Sequence, residues 1–237
     1  NLDGTFQPLV QKNVDTGLGL ERVTAILQGK ESHFETELFM PVILKIRELS
    51  DARDVRTERI IADHFRAAVF VLGDDRGLTP SNTDQGYVIR RLIRRAIREG
   101  RKLGINQNFT TEIAEIIIRD YSDPYTELSA NREKIISELE KEEALFRKTL
   151  DHGEREFEKI KKTLRENNQS MVSGRVAFKL YDTFGFPLEM TRELAKENTM
   201  TVDEKGFEEA FKKHQELSRA GAEQKFTGGL QDHSEKT

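Results

Sequence analysis

"PSNTDQGYVIRRLIRRAIREGRK" runs from Pro80 to Lys102. Its apolar residues Val88, Ile89, Leu92, Ile93, Ala96 and Ile97 recur every three or four positions, the period of a helix with one buried stripe. Arg91, Arg94, Arg95, Arg98 and Lys102 follow i, i+3, i+4, i+7 and i+11, a second stripe beside the first. The pattern predicts a helix that anchors one side in a core and projects guanidinium groups from the other. Residues 90–102 hold seven cations and one acid, although the 237-residue chain has a formal charge of −4. Charged helix faces usually mix signs; an almost purely cationic one fits a phosphate backbone.

The neighbouring segments carry the same period. In "ERIIADHFRAAVFVLGDDRG", Ile61, Phe65, Ala68, Val69 and Leu72 share one face, so a core-facing helix precedes the basic one. A shorter amphipathic helix is predicted over 109–121, with a break at 123–125. Residues 131–166 contain ten cations, ten anions and no proline. Ile136, Phe146, Leu150, Phe157, Ile160 and Leu164 fall on a and d positions of a heptad there, and Glu143 and Gly153 interrupt that seam. One helix of about 54 Å packed against its own domain is the expectation. "VSGRVAFKLYDTFGFP" predicts a helix ended by Gly185 and Pro187, and two more follow in "PLEMTRELAKEN" and "VDEKGFEEAFKKHQELSRAG". Phe207 and Phe211 are one turn apart and are expected to pack on the long helix. Residues 1–16 read as a strand or hairpin, and "GLGLERVTAILQG" as a glycine turn feeding a short helix. The fold class is mainly α.

Composition narrows the function classes. With no cysteine, disulfides and thiolate metal sites are impossible, and no metal site is expected. No apolar run approaches the roughly 20 residues that span a bilayer. "NLDGTFQPLV" lacks the basic-then-apolar order of a signal peptide, so no membrane partner and a cytoplasmic location are expected. The start without methionine and the abrupt end at "GGLQDHSEKT" suggest a piece of a longer protein.

Three positions carry competing local readings. Asn82 reads as an N-cap, with Gln85 closing a capping box. Asp182 sits in the last turn before Gly185, against the negative end of the helix dipole; a surface pair with Arg192 or Lys179 would account for it. "DTGLGLER", from Asp15 to Arg22, sets two glycines before an arginine at the opening of a helix. It is neither a G-x-G-x-x-G fingerprint nor a phosphate loop, so a glycine turn with a surface arginine also explains it.

Taken together, these stretches resemble one family. "NVDTGLGLERV" is similar to motif 3 of the class II aminoacyl-tRNA synthetases in its alanine-specific form. "ADHFRAAVFVLGD", "PSN" and "GYVIRRLIRRAIREG" resemble that family's tRNA-recognition region, and "LYDTFGFPLEMTREL" and "VDEKGFEEAF" with "GGLQDHSEKT" its later part. The resemblance is colinear over nearly the whole chain. It implies that 1–27 are the last strand and helix of an antiparallel α/β catalytic domain. Residues 28–224 would then be a helical tRNA-recognition domain, and 225–237 the start of a linker to an editing domain. Motifs 1 and 2 would precede Asn1 and the editing domain's zinc site would follow Thr237, so the piece alone is expected to be inactive.

The implied parent activity is ligation of alanine to its tRNA in two steps with ATP and magnesium. By resemblance, Arg22 and Gly19 match ATP-binding positions, Asp15 and Gly17 positions that hold alanine. Asn82 and Asp182 match positions that read a G·U pair in the acceptor stem, and Arg91, Arg94, Arg95 and Arg98 would hold its phosphates. A generic helical RNA-binding module and a helical interaction scaffold built on 131–166 remain as rival classes.

Overall fold

The computed structural model describes residues 4, 5, 8, 11–14 and 16–227, with side chains as far as residue 216. Described residues form ten helices and one two-stranded sheet. They fall into two compact units, 1–140 and 141–237.

In the first unit, helix α3 (Val55–Gly73) is central. Asp54 caps it, accepting the Thr57 N–H at 2.8 Å, and its apolar face, Ile61, Phe65, Ala68, Val69 and Leu72, is fully buried. Helix α4 (Asp84–Lys102) packs along it, with α2 (Met40–Leu49) and α5 (Thr110–Tyr121) on its flanks and α6 (Thr126–Ala130) near its end. Two close approaches fix this packing. A Cβ on Gly100 would lie 2.6 Å from the Phe109 ring, which meets Phe65 edge-on at 5.6 Å. A Cβ on Gly73 would lie 2.7 Å from Leu128. Asn131 Nδ2 donates to the Gly73 carbonyl at 2.9 Å, satisfying one orphan acceptor at the end of α3.

The stripe of α4 differs in part from expectation. Ile89, Ile93, Ala96 and Ile97 are buried, but Val88 is 46% exposed. The residues of 1–16 expected as a strand or hairpin lie partly outside the described set; those described carry no strand. Helix α1 (Leu20–Leu27) follows, with Gly19 at its N-cap.

Helix α7 (Arg132–Glu166) is continuous for 35 residues. Ile135 and Leu139 are fully buried in its first turns, while Ile136 is only half-buried. The buried row is shifted from the heptad because Ile135 is the side chain that meets Gly73, 3.1 Å from the place of its missing Cβ. The two interruptions also find their reasons. Glu143 is buried and takes two hydrogen bonds from Arg147, at 3.0 and 2.8 Å. Gly153 makes room for the Phe186 ring, which would lie 2.1 Å from a Cβ there.

In the second unit, strands β1 (Met171–Val172) and β2 (Thr201–Val202) pair in parallel around α8 (Gly174–Phe184) and α9 (Leu188–Glu197). The sequence reading contained neither strand; each is two residues long, too short for a period-2 pattern. Helix α10 (Glu204–Thr227) starts against α8, backbone to backbone: a Cβ on Gly174 would be 2.1 Å from the Gly206 carbonyl carbon. Asp203 ties the two starts together, accepting from Gly206 N at 2.9 Å and Gly174 N at 3.4 Å, while Ser173 caps α8. Phe207 and Phe211 pack on Phe178 and Tyr181 of α8, with centroids 5.6 to 6.4 Å apart, a partner that the sequence reading did not name. The i, i+3 spacing on α8 meets the i, i+4 spacing on α10.

Candidate functional site

The glycine turn delivers Arg22 to the solvent. Gly17 has open space where a side chain would be, and a Cβ on Gly19 would lie 3.8 Å from Cδ of Arg22. Arg22 is exposed on the first turn of α1, where free backbone N–H groups favour anions. Its neighbour Glu21 turns the other way and pairs with Arg66 of α3 at 2.8 Å. Hydrogen bonding to backbone at the helix start, opposed by burial and aided by the Arg66 charge, holds the Glu21 carboxyl below its ordinary value. Asp15 lies outside the described residues.

On α4 the cationic stripe divides. Arg91 is exposed, while Arg94 and Arg95 are half-buried, their stems covering apolar surface. Arg98 was expected to project outward with them. Instead it is only 2% exposed, because its position also abuts the core. Its guanidinium lies 3.8 Å from buried Glu99, which Lys102 contacts at 2.8 Å and the Thr57 hydroxyl at 3.3 Å. Burying one charge is costly unless another is buried beside it, so Arg98 and Glu99 turn in together.

Asn82 is not the cap of α4. Thr83 holds that position without a side-chain hydrogen bond, and Asp84 begins the helix at a positive φ of 52°. The Asn82 side chain reaches instead to Arg90, which donates from Nη1 to Oδ1 and from Nη2 to the Pro80 carbonyl. A guanidinium has only donors, so the atom it faces must be the amide oxygen. Exposed Asn82 therefore turns Nδ2, with its two donors, away from Arg90. The turn is pinned behind it: Ser81 N donates to the Gly86 carbonyl at 3.1 Å, and a Cβ on Gly86 would lie 2.3 Å from Ser81 Oγ.

Asp182 lies on the last turn of α8, which Gly185 ends in the left-handed conformation at φ 65°. Its partner is neither Arg192, which pairs with Glu204 at 3.5 Å, nor Lys179, but His214 of α10, whose Nε2 is 3.6 Å from Oδ1. The His214 ring also lies 5.5 Å from Phe178. Asp182 is 43% exposed, so an acceptor oxygen remains open to solvent. A groove of about 780 Å³ between α8 and α10, with Arg175, Lys213 and His214 in its wall, opens beside this pair.

Sequence reasoning did not find Arg90, Glu21, Arg66 or His214. Each acts through a partner at a separation that no helical spacing announces: eight residues for Arg90, 45 for Arg66 and 32 for His214. Among the described residues no group of His, Asp and Glu is arranged to hold a metal ion, and no helix is long and apolar enough to cross a membrane.

Comparison with known proteins decides the family. The profile of the tRNA synthetases class II (A) matches residues 1–237. The chain belongs to the class II (A) tRNA synthetases. Within this family it is 52% identical, over its whole length, to an alanine–tRNA ligase of Treponema denticola, and 46% identical over 99% of its length to that of Treponema pallidum. An alanine–tRNA ligase of Streptococcus pneumoniae is 42% identical over 97% of the chain. The chain spans 40% of the length of the two treponemal ligases and 27% of the streptococcal one. As a class II synthetase segment it is mainly helical, and the glycine turn, the basic helix and the α8 terminus are its candidate sites.

Proposed function

We propose that the chain is the portion of a cytoplasmic alanine–tRNA ligase that binds the tRNA acceptor stem and reads its G·U pair, with residues 1–27 closing the catalytic domain. Residues 28–224 would form the recognition domain and 225–237 the first part of a linker. The observation that carries the reading is the held amide of Asn82, its donors turned outward beside a cationic helix.

The chemistry follows from the base edges. The minor groove of A-form RNA is wide and shallow enough for side chains to enter. A G·U wobble pair presents there a guanine amino donor that pairing does not use, and the uracil O2 acceptor. A reader needs one acceptor and one donor. The Asp182 carboxylate supplies the first and the Asn82 amide the second, while Arg91, Arg94, Arg95 and Lys102 hold phosphates and set register. Arg98, turned inward, would support this helix from within.

In the reaction, alanine and ATP first give alanyl-adenylate and pyrophosphate; the terminal ribose hydroxyl of the tRNA then attacks the acyl carbon, the acyl–phosphate bond breaks and AMP leaves. Such chemistry is mainly positioning and charge stabilisation. Arg22, over Gly19, would grip an ATP phosphate as a fixed two-pronged donor, Asp15 would bind the alanine ammonium, and Gly17 would leave the backbone open to the ligands. ATP would bring magnesium, which offsets phosphate charge. The test is a gel shift with an alanine-tRNA acceptor helix carrying G·U or G·C. Preference for G·U supports the reading; equal, salt-sensitive binding indicates a generic RNA-binding module, and oligomerisation without RNA affinity a scaffold.

A further inference from the structure

Helix α1 is joined to the rest of the described chain mainly by polar contacts. Of its eight residues only Ala25 is buried, while Leu20, Ile26 and Leu27 are 65%, 76% and 81% exposed. Two polar ties hold it. At its C-terminal end Gln28 Nε2 donates to both carboxylate oxygens of Glu37, at 2.9 and 2.7 Å. At its N-terminal end Glu21 is gripped by Arg66 Nη2 at 2.8 Å.

Arg66 is itself firmly placed. Its guanidinium lies 4.1 Å above the ring of Phe39, which is 1% exposed. Nη1 donates to the Tyr121 hydroxyl at 3.4 Å, and that hydroxyl donates to the Leu38 carbonyl at 2.7 Å. The Tyr121 ring meets Phe70 edge-on at 5.3 Å. Arg66 therefore couples α3 and α5 to the first turn of α1, through a flat cation that can stack and donate on two sides at once. Glu21 and Arg22 are adjacent on a helix of 3.6 residues per turn, so fixing the direction of one fixes that of the other, about 100° away.

We propose that Arg66 is a positioning residue for adenylate formation: by holding Glu21 it sets the rotation of α1 and so aims Arg22 at the ATP phosphates. This rests on the reading of Arg22 given above. Arg66 touches neither ATP nor alanine; its contribution passes through Glu21. Misplacing a substrate-orienting group by about an ångström costs on the order of a hundredfold in rate, and the Glu21–Arg66 tie is what joins the first turn of α1 to α3.

The experiment is alanine-dependent ATP–pyrophosphate exchange by the full-length ligase that carries this chain. Arg22→Ala, Arg66→Ala, Arg66→Lys and Glu21→Gln are compared, each checked for melting temperature and acceptor-stem affinity. Arg66→Ala should raise the KM for ATP by roughly tenfold to a hundredfold, with the KM for alanine and acceptor-stem affinity near wild type. Arg66→Lys, which keeps the charge but neither the stack nor the double donation, should recover part of the loss. Combined with Arg22→Ala, Arg66→Ala should cost less than the product of the single effects. If Arg22→Ala leaves exchange unchanged, the reading of Arg22 fails. If Arg22→Ala lowers exchange while folded Arg66→Ala keeps the wild-type KM for ATP, the positioning role is overturned. Should Arg66→Ala not fold, Glu21→Gln decides: it cuts the tie yet leaves Arg66 on Phe39 and Tyr121, and a wild-type KM for ATP in that variant equally sinks the proposal.

Discussion

At the scale of the residue, function in this chain depends on side chains held by partners rather than on residue type alone. For Asn82, proposed as a reader of the base pair, the neighbours decide what the side chain offers. Arg90 takes the carbonyl oxygen and so leaves the amide hydrogens for a ligand. Asn82→Ala is expected to reduce discrimination between G·U and G·C stems by about 1–3 kcal/mol, the worth of one good base contact. Arg90→Ala keeps the amide but frees it to rotate, so discrimination should fall by less. Relative aminoacylation of the two tRNAs by full-length variants measures both. Glu21 makes a second residue-scale prediction. In the folded chain its carboxyl is held below the ordinary glutamate value, first by its backbone hydrogen bond and, against the opposing effect of burial, by Arg66. A depressed folded value gives stability that is complete above the unfolded value and lost as pH falls through the folded one. Amide exchange in α1 should therefore accelerate as pH drops below about 4.5, beyond the intrinsic pH dependence of exchange. Glu21→Gln should remove that acid step; an unchanged step would mean that Glu21 does not hold the helix.

At the scale of the element, α4 shows what periodicity reveals and what it hides. Its spacing placed Ile89, Ile93, Ala96 and Ile97 in the core, and all four are buried. The same spacing put Arg98 among the outward cations, yet its side chain lies inside with Glu99. A stripe has edges, and which side of an edge a long side chain takes depends on packing partners that sequence does not name. The glycines were illegible for the same reason: Gly153 looked like a fault in the heptad until Phe186 supplied its purpose. The short strands and the partners Arg66 and His214 depend on pairing between distant segments and leave no local signal. The two kinds of arginine should separate by experiment. Arg94→Ala or Arg95→Ala should weaken binding to G·U and G·C stems alike and lower the salt slope by about 0.7 to 0.9 for each phosphate no longer neutralised. Arg98→Ala should act on stability, because removing one member of a buried pair typically costs about 3–5 kcal/mol. Its salt slope per folded molecule should match wild type. Denaturant titration beside salt-dependent RNA binding distinguishes the two; a lowered slope with normal stability would return Arg98 to the phosphate-binding set.

At the scale of the whole molecule, the proposed reading of one base pair rests on two residues far apart in the chain. Asn82 and Asp182 are 100 residues apart in sequence. Each has a partner of its own, Arg90 for Asn82 and His214 for Asp182. Neither fixture requires the other, so each variant should fold with its partner residue undisturbed. If both side chains address one wobble pair, they share one ligand, and the energetics of the two substitutions must couple through it. Asp182→Ala removes the acceptor for the free guanine amino group, and Asn82→Ala removes the donor to the uracil O2. Once either hydrogen bond is gone the stem is no longer held in register for the other, so the second substitution finds less to remove. The double variant should therefore lose less G·U discrimination than the sum of the single losses, with a coupling within the roughly 0.5–3 kcal/mol usual for groups that act on one another. Relative aminoacylation of G·U and G·C tRNAs by the two single variants and the double variant, with circular dichroism as a folding control, measures that coupling. Strict additivity would mean that the two residues act on separate parts of the tRNA. A G·U preference kept in all three variants would leave Asn82 as a brace for Arg90 and Asp182 as a surface partner of His214.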